Sequence, residues 1–176
     1  MDEFFMREAL KEARKAVEEM GREVPVGAVA VRDGKIIARA HNLKETLDDP
    51  TAHAELLVLR EAAKVVGDWR LTDVTIYTTL EPCAMCAGAM IQARVKRLVY
   101  GAPDPRMGAV ESKVRLLQPG LFNHDVEVRG GVLAEECARL VKSFFQKIRE
   151  EERKVSKGGE VPEPGRTGAA RNRVGG

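Results

Sequence analysis

The sequence predicts an α/β domain: a mixed sheet of about five strands covered by helices on both faces. Three observations carry this. Residues 26–31 and 36–41 are apolar runs separated by Arg-Asp-Gly-Lys, and Asp-Gly between two such runs is a strong hairpin signal, so an antiparallel pair opens the sheet. After the hairpin, helical and β-type stretches alternate, the pattern of strands joined by crossover helices. Residues 74–80 are rich in β-branched side chains and end at Pro82, as a buried central strand running into a turn would.

The elements follow in order. Residues 3–20 place Phe5, Ala9, Ala13, Ala16, Val17 and Met20 on one stripe, the 3.6-residue period of an amphipathic helix, with Gly21 suited to cap its C-terminus. The hairpin comes next, then a polar loop over 42–50 leading into a helix that begins near His53 and runs to about Val66, with Leu56, Leu59 and Ala63 facing inward. The strand at 74–80 is followed by a helix over 83–93, for which Pro82 is a natural start because its missing N–H costs nothing there. Residues 97–102 read as a strand, 112–117 as a short helix, 126–129 as a weaker strand, and 133–154 as a long closing helix.

A chain of 176 residues allows one domain with a full core. Residues 1–155 form that domain, and the tail over 156–176, rich in Gly and Pro, is expected to be disordered. No run of about 18 apolar residues exists, and the charged N-terminal stretch lacks a signal peptide's apolar centre. Three cysteines, two of them placed to hold a metal, argue against a disulfide framework and for a reducing cytoplasm. The net charge of +2 equals the excess of Lys157, Arg166, Arg171 and Arg173 over Glu160 and Glu163 in the tail. The body is neutral overall, so any nucleic-acid surface on it must be a local patch.

The chemistry is concentrated in Thr-Ala-His-Ala-Glu at 51–55 and Pro-Cys-Ala-Met-Cys at 82–86. His53, Cys83 and Cys86 supply three ligands for a tetrahedral zinc and leave its fourth position open for water, which separates a catalytic zinc from a closed structural one. Cys83 and Cys86 are three apart, so their sulfurs meet on one helical turn, and a helix N-terminus favours thiolates. His53 and Glu55 are two apart and would point to nearly opposite sides of a regular helix. They serve one site only where a helix begins, which predicts two helix N-termini facing each other across the metal. Two thiolates and a neutral imidazole offset the ion's charge, yet it can still lower the pKa of bound water toward about 7. Glu55 is then the residue that moves protons. A lone C-x-x-C could instead be a redox pair or half of a structural site. A structural Cys₃His site would need Cys137 and would leave Glu55 without a role; Cys137 itself reads as a packing residue. The combined pattern H-x-E…P-C-x-x-C is the known signature of zinc-dependent nucleobase deaminases.

With Glu-Val-Pro-Val-Gly-Ala-Val at 23–29, Asn42, Asp-Pro-Thr-Ala-His-Ala-Glu at 49–55, Thr-Leu-Glu-Pro-Cys-Ala-Met-Cys-Ala-Gly-Ala-Met-Ile at 79–91, Asn123-His124 and Phe144-Phe145, the chain resembles the bacterial tRNA-specific adenosine deaminases of the cytidine-deaminase superfamily, over residues 3 to about 154. The resemblance implies a three-layer cytidine-deaminase-like fold and one zinc per subunit on His53, Cys83 and Cys86, with Glu55 as the proton shuttle. It implies that Asn42 orients the flipped base or its ribose and that Pro25 and Val26 wall the base. Asp104, Arg106, Asn123, His124, Phe144 and Phe145 match positions that meet the anticodon loop. Adjacent Phe144 and Phe145 cannot face the same side, so one packs and one reaches RNA, and His124 could instead cap a turn. The proline-rich loop over 102–107 departs from the family pattern, and the tail has no counterpart in it.

The implied reaction is hydrolytic deamination of adenosine to inosine at the wobble position of tRNA, with the target base flipped out of an anticodon loop. The same catalytic residues would also serve a deaminase of free cytosine, guanine or a nucleoside. A zinc-stabilised RNA-binding module would have no use for Glu55. The resemblance further implies a homodimer. The run Ala87, Gly88, Ala89, Met90, Ile91 carries more small and apolar residues than one buried face requires, which places the interface on the cysteine helix.

Overall fold

The computed structural model describes residues 1–158. Its body, Met1–Phe144, is one unit; a second begins at Phe145 and, within the described residues, consists of the last part of a long helix and Gly158. Five strands, β1 (Gly27–Arg32), β2 (Lys35–His41), β3 (Val74–Leu80), β4 (Arg97–Ala102) and β5 (Glu127–Arg129), form one sheet in the order β2-β1-β3-β4-β5. The helices are α1 (Asp2–Glu18), α2 (Ala54–Val66), α3 (Ala84–Gln92) and α4 (Ala134–Lys157). The sheet is mixed. β1 runs antiparallel to both β2 and β3, and β3, β4 and β5 run parallel.

The hairpin turns at Asp33 and Gly34, both at positive φ (51° and 73°). That is the left-handed pair whose twist matches the flanking strands, and Asp-Gly is a sequence that tolerates it. Alternation along the strands then sorts side chains into two cores. Ala28, Ala30, Val74, Ile76, Leu98 and Tyr100 face one way and pack under α2 and α3. Val29, Val31, Tyr77 and Val99 face the other way and, with Ala102 at the end of β4, pack with Phe5, Met6, Ala9 and Leu10 of α1 and Cys137 of α4. Asp2 pins the start of α1 across three strands: it accepts the Tyr77 hydroxyl at 2.7 Å, both Arg97 guanidinium arms at 2.9 Å, and Arg129 at 2.7 Å.

Three sequence expectations are corrected. Residues 112–117 form turns, not a helix. The N–H groups of Val110, Glu111 and Ser112 donate to the Glu81 carboxylate, and those of Lys113 and Leu116 to the Gly108 and Ala109 carbonyls, so the bond a helix would draw from Leu116 to Ser112 is replaced by a longer reach to Ala109. Helix α1 stops at Glu18 with Glu19 as its C-cap, leaving Met20 and Gly21 beyond it. Helix α4 continues through Ser156 and Lys157, and the rest of the expected tail, from residue 159, lies outside the described residues.

The topology brings distant segments to one edge. β1 is antiparallel to β3, so the start of β1 lies beside the end of β3, with Ala28 opposite Thr78. The end of β2 lies there too, Gly27 pairing with His41, and β4 ends alongside β3, with Leu80 opposite Ala102. The loops after β2, β3 and β4 and the segment before β1 therefore share one rim.

Candidate metal centre and active site

His53 and Cys83 are the N-caps of α2 and α3, both in extended backbone conformation, so each leaves its helix axis and turns toward the other. His53 Nδ1 lies 3.5 Å from the Sγ of Cys83 and 3.5 Å from that of Cys86, and the three donor atoms all fall within 4.8 Å of one another. Asp49 helps place His53: its carboxylate accepts the Thr51 N–H and hydroxyl at 2.8 and 2.7 Å, fixing the turn that enters α2. One imidazole and two sulfurs at this mutual spacing suit a borderline-soft ion such as zinc, with a coordination position to spare.

The electrostatics are those of a tightly coupled group. The Cys83 thiol is lowered to about 4 by the hydrogen bond from Cys86, which outweighs the opposing effect of burial, with the His53 imidazole adding to the lowering. The Cys86 thiol is driven up by that same bond, by burial and by the charge of Glu55. His53 is raised, chiefly by its bond to Cys83. Glu55 is 4% exposed, and burial pushes its carboxyl up. Its Oε1 accepts the Thr78 hydroxyl at 2.9 Å, and its Oε2 lies 3.6 Å from Cys86 Sγ. This carboxylate is outside the donor triad and beside it, in a dry setting that favours proton transfer in both directions.

A cavity of about 440 Å³ opens onto these groups, lined by His53, Glu55 and Cys83 at one end and by Val24, Val26, Asn42, Met85, Asp104 and Met107 around its walls. Asn42 is buried and oriented. Its Oδ1 accepts the Lys44 N–H at 3.2 Å and its Nδ2 donates to the Val24 carbonyl at 3.3 Å, which leaves one N–H and one lone pair for a ligand.

Other residues singled out from sequence fall outside the lining. Pro25 is buried between Val24 and Val26. The Arg106 side chain is exposed, while its N–H donates to Asp104 Oδ1. Asn123 is exposed, and His124 Nε2 donates to the Val95 carbonyl at 2.7 Å, which fixes that ring to the backbone of the body. Phe144 is buried and Phe145 is 43% exposed. Sequence reading assigned no role to Thr78, Met85 and Met107, nor to two carboxylates that hold the rim. Glu23 accepts the Thr46 N–H and hydroxyl at 2.6 and 2.9 Å. Glu81 gathers the loop after β4. Burial pushes the Glu81 carboxyl up, but the Ser112 hydroxyl and the N–H groups of Glu111, Ser112 and Asp104 outweigh that and hold it at about 2. The one signal for Glu81 was its type: a carboxylate that ends a buried strand and directly precedes Pro82.

The profile of the MafB19-like deaminase family matches residues 1–149, so the fold and the three-donor site are those of a deaminase. Within that class, the chain is 53% identical over 156 residues to the tRNA-specific adenosine deaminase of Bacillus subtilis (strain 168), covering 89% of this chain and 96% of the relative. A solved structure from a study of A-to-I editing by tRNA:A34 deaminases at the wobble position of transfer RNA superposes with a TM-score of 0.73 at 48% identity, covering 78% of this chain and 98% of that one. The guanine deaminase of Bacillus subtilis is more distant, at 34% identity and a TM-score of 0.56, covering 84% and 93%. The chain belongs to the family of tRNA-specific adenosine deaminases.

Proposed function

We propose that this protein hydrolyses adenosine to inosine at the wobble position of tRNA anticodon loops. The observation that carries the reading is the buried Glu55 carboxylate beside, but outside, a cluster of one imidazole and two sulfurs at the end of a cavity roomy enough to admit a base. His53, Cys83 and Cys86 would hold one zinc ion. When bound, that ion would polarise a water molecule and lower its pKa.

The chain's own residues do the rest. Glu55, held by Thr78, takes one proton from the attacking water as the C6–O bond forms and passes it to N1, then takes the second from the new C6 hydroxyl and gives it to the exocyclic amine as the C6–N bond breaks and ammonia leaves. Val24 and Val26 offer apolar contact to the base, and the free amide groups of Asn42 orient it. Flipping a base out of its stack costs a few kcal/mol and is cheapest in a single-stranded loop, which favours an anticodon loop over a duplex. Asp104 stands at the rim, where it would meet the nucleotide's ribose or its neighbours.

Two further points belong to the same reading. A tRNA substrate and a thiolate metal site support a reducing cytoplasm as its setting; no described helix is long and apolar enough to cross a membrane. A homodimer is supported by an apolar groove between α2 and α3, lined by Leu56, Leu59, Ala63, Trp69, Ala89 and Ala93, in which Trp69 is 54% exposed. An exposed aromatic in an apolar groove is typical of an interface.

The test is direct. Total tRNA incubated with the protein and then sequenced should show inosine at position 34, and Glu55→Ala should abolish it while retaining about one zinc per chain. General acid–base groups contribute roughly 10²- to 10⁴-fold in rate, so the loss should be at least hundredfold. Turnover of free guanine, cytosine or nucleosides matching that of tRNA would instead establish a small-molecule deaminase.

A further inference from the structure

The stretch after β4 that carries Asp104 and Met107 to the rim has no regular secondary structure. Its backbone is organised around a single side chain from another loop. Glu81 Oε1 accepts the Asp104 N–H at 3.0 Å and the Ser112 hydroxyl; Oε2 accepts the N–H groups of Val110, Glu111 and Ser112 at 3.2, 3.0 and 3.0 Å. The carboxylate is 2% exposed, so these bonds stand in for water. Gly108 is required by the approach: a Cβ there would lie 2.4 Å from the carboxyl carbon of Glu81. Asp104 continues the chain of contacts, its Oδ1 accepting the N–H groups of Arg106 and Met107 at 3.0 and 3.1 Å. On the other side of Glu81, the Pro82 carbonyl accepts the Ala109 N–H at 2.9 Å, and Cys83 follows. The loop is thus fastened twice to the two residues that precede the first sulfur ligand.

All five donors to Glu81 come from this loop, one of them from Val110, whose side chain is buried in the core, so the carboxylate fixes the loop's backbone where the core fixes that side chain. We propose that Glu81 is the positioning residue of the substrate loop, fixing Asp104 and Met107 in register with the Cys83 turn so that the nucleotides around the reacting base are gripped at the correct height above the metal centre. This rests on the tRNA-deaminase reading for the identity of the ligand. Glutamine is a poor substitute despite its shape. Its amide nitrogen would face N–H donors, and its neutral oxygen forms hydrogen bonds about half as strong as a carboxylate's.

The experiment compares wild type, Glu81→Gln and Ser112→Ala on an anticodon stem-loop, by steady-state and single-turnover kinetics, with zinc content and amide hydrogen exchange measured on the same samples. For Glu81→Gln we expect KM to rise about tenfold or more, the saturated rate to stay within about threefold, zinc to remain near one per chain, and amides 104 and 110–112 to exchange faster while those of α2 and α3 do not. Ser112→Ala removes one hydroxyl donor and should raise KM by about threefold; it carries the test should Glu81→Gln fail to fold. A zinc-loaded Glu81→Gln with wild-type KM would overturn the proposal. So would a loss confined to the saturated rate or accompanied by loss of zinc, which would assign Glu81 to the metal turn alone. Failure of the wild type to form inosine would instead sink the tRNA reading, and the exchange of the loop amides would still report on Glu81.

Discussion

At the scale of single residues, the sharpest dependence is that of Glu55 on Thr78. Thr78 is fully buried and its hydroxyl donates to Glu55 Oε1, so the carboxylate is aimed by one bond from the central strand. Thr78→Val keeps the volume and removes that donor. A buried hydrogen bond to a charged group contributes roughly 1.5–3 kcal/mol, and losing part of it from the transition state should slow single-turnover deamination by about tenfold with zinc content unchanged. A wild-type rate in this variant would mean that Glu55 is oriented by something else. Residues of this kind were not legible beforehand. His53, Glu55, Cys83 and Cys86 announce themselves because each pair is local and its spacing has a chemical meaning. Thr78, Glu23 and Glu81 act across 23 to 31 positions of sequence, and nothing periodic marks them.

At the scale of elements, the strands were legible to within a residue or so, because alternation and the Asp-Gly turn are strong local signals. The one false element, the helix at 112–117, failed because its Ser112 amide answers to Glu81 and its Leu116 amide to Ala109, tertiary and loop demands that propensity does not see. The cysteine helix shows the same limit. Of its small and apolar run, Ala87, Met90 and Ile91 are buried within the body, and it is Ala89 that faces the groove shared with α2. The proposed dimer is therefore tested at Ala89. Ala89→Glu should place a charge in that groove and shift the light-scattering mass from twice 19.4 kDa toward 19.4 kDa, whereas a glutamate at position 90 would damage the subunit's own core. An unaltered mass for Ala89→Glu would move the interface elsewhere.

At the scale of the whole molecule, Asp2 fastens α1 to one face of the sheet at the end far from the cavity, joining it to β3, β4 and β5. The Arg97 guanidinium, together with Tyr77 and Arg129, holds the Asp2 carboxyl well below its ordinary value of 3.8, against the opposing effect of burial. A depressed folded value means stability that is fully present above the ordinary value and is lost as pH falls through it toward the folded one. Asp2→Asn should accordingly lower stability at pH 7 by about 2 kcal/mol, and the gap from wild type, followed by denaturant melts, should narrow as the pH drops below 3.8. A gap independent of pH would show that the network is steric and not electrostatic.

The rim of the cavity is assembled from four stretches far apart in the chain, around Val26, Asn42, Met85 and Asp104, while the reacting groups stand on the first turns of two helices and at the end of one strand. These walls are tied to one another and to the centre: Asn42 bonds the Val24 and Val26 carbonyls, the Asp104 loop bonds Glu81 and Pro82, and Met85 stands between the two sulfur ligands. A change in one wall is therefore felt by its neighbours, so re-aiming this chemistry at a new substrate calls for matched substitutions in stretches that the chain keeps far apart.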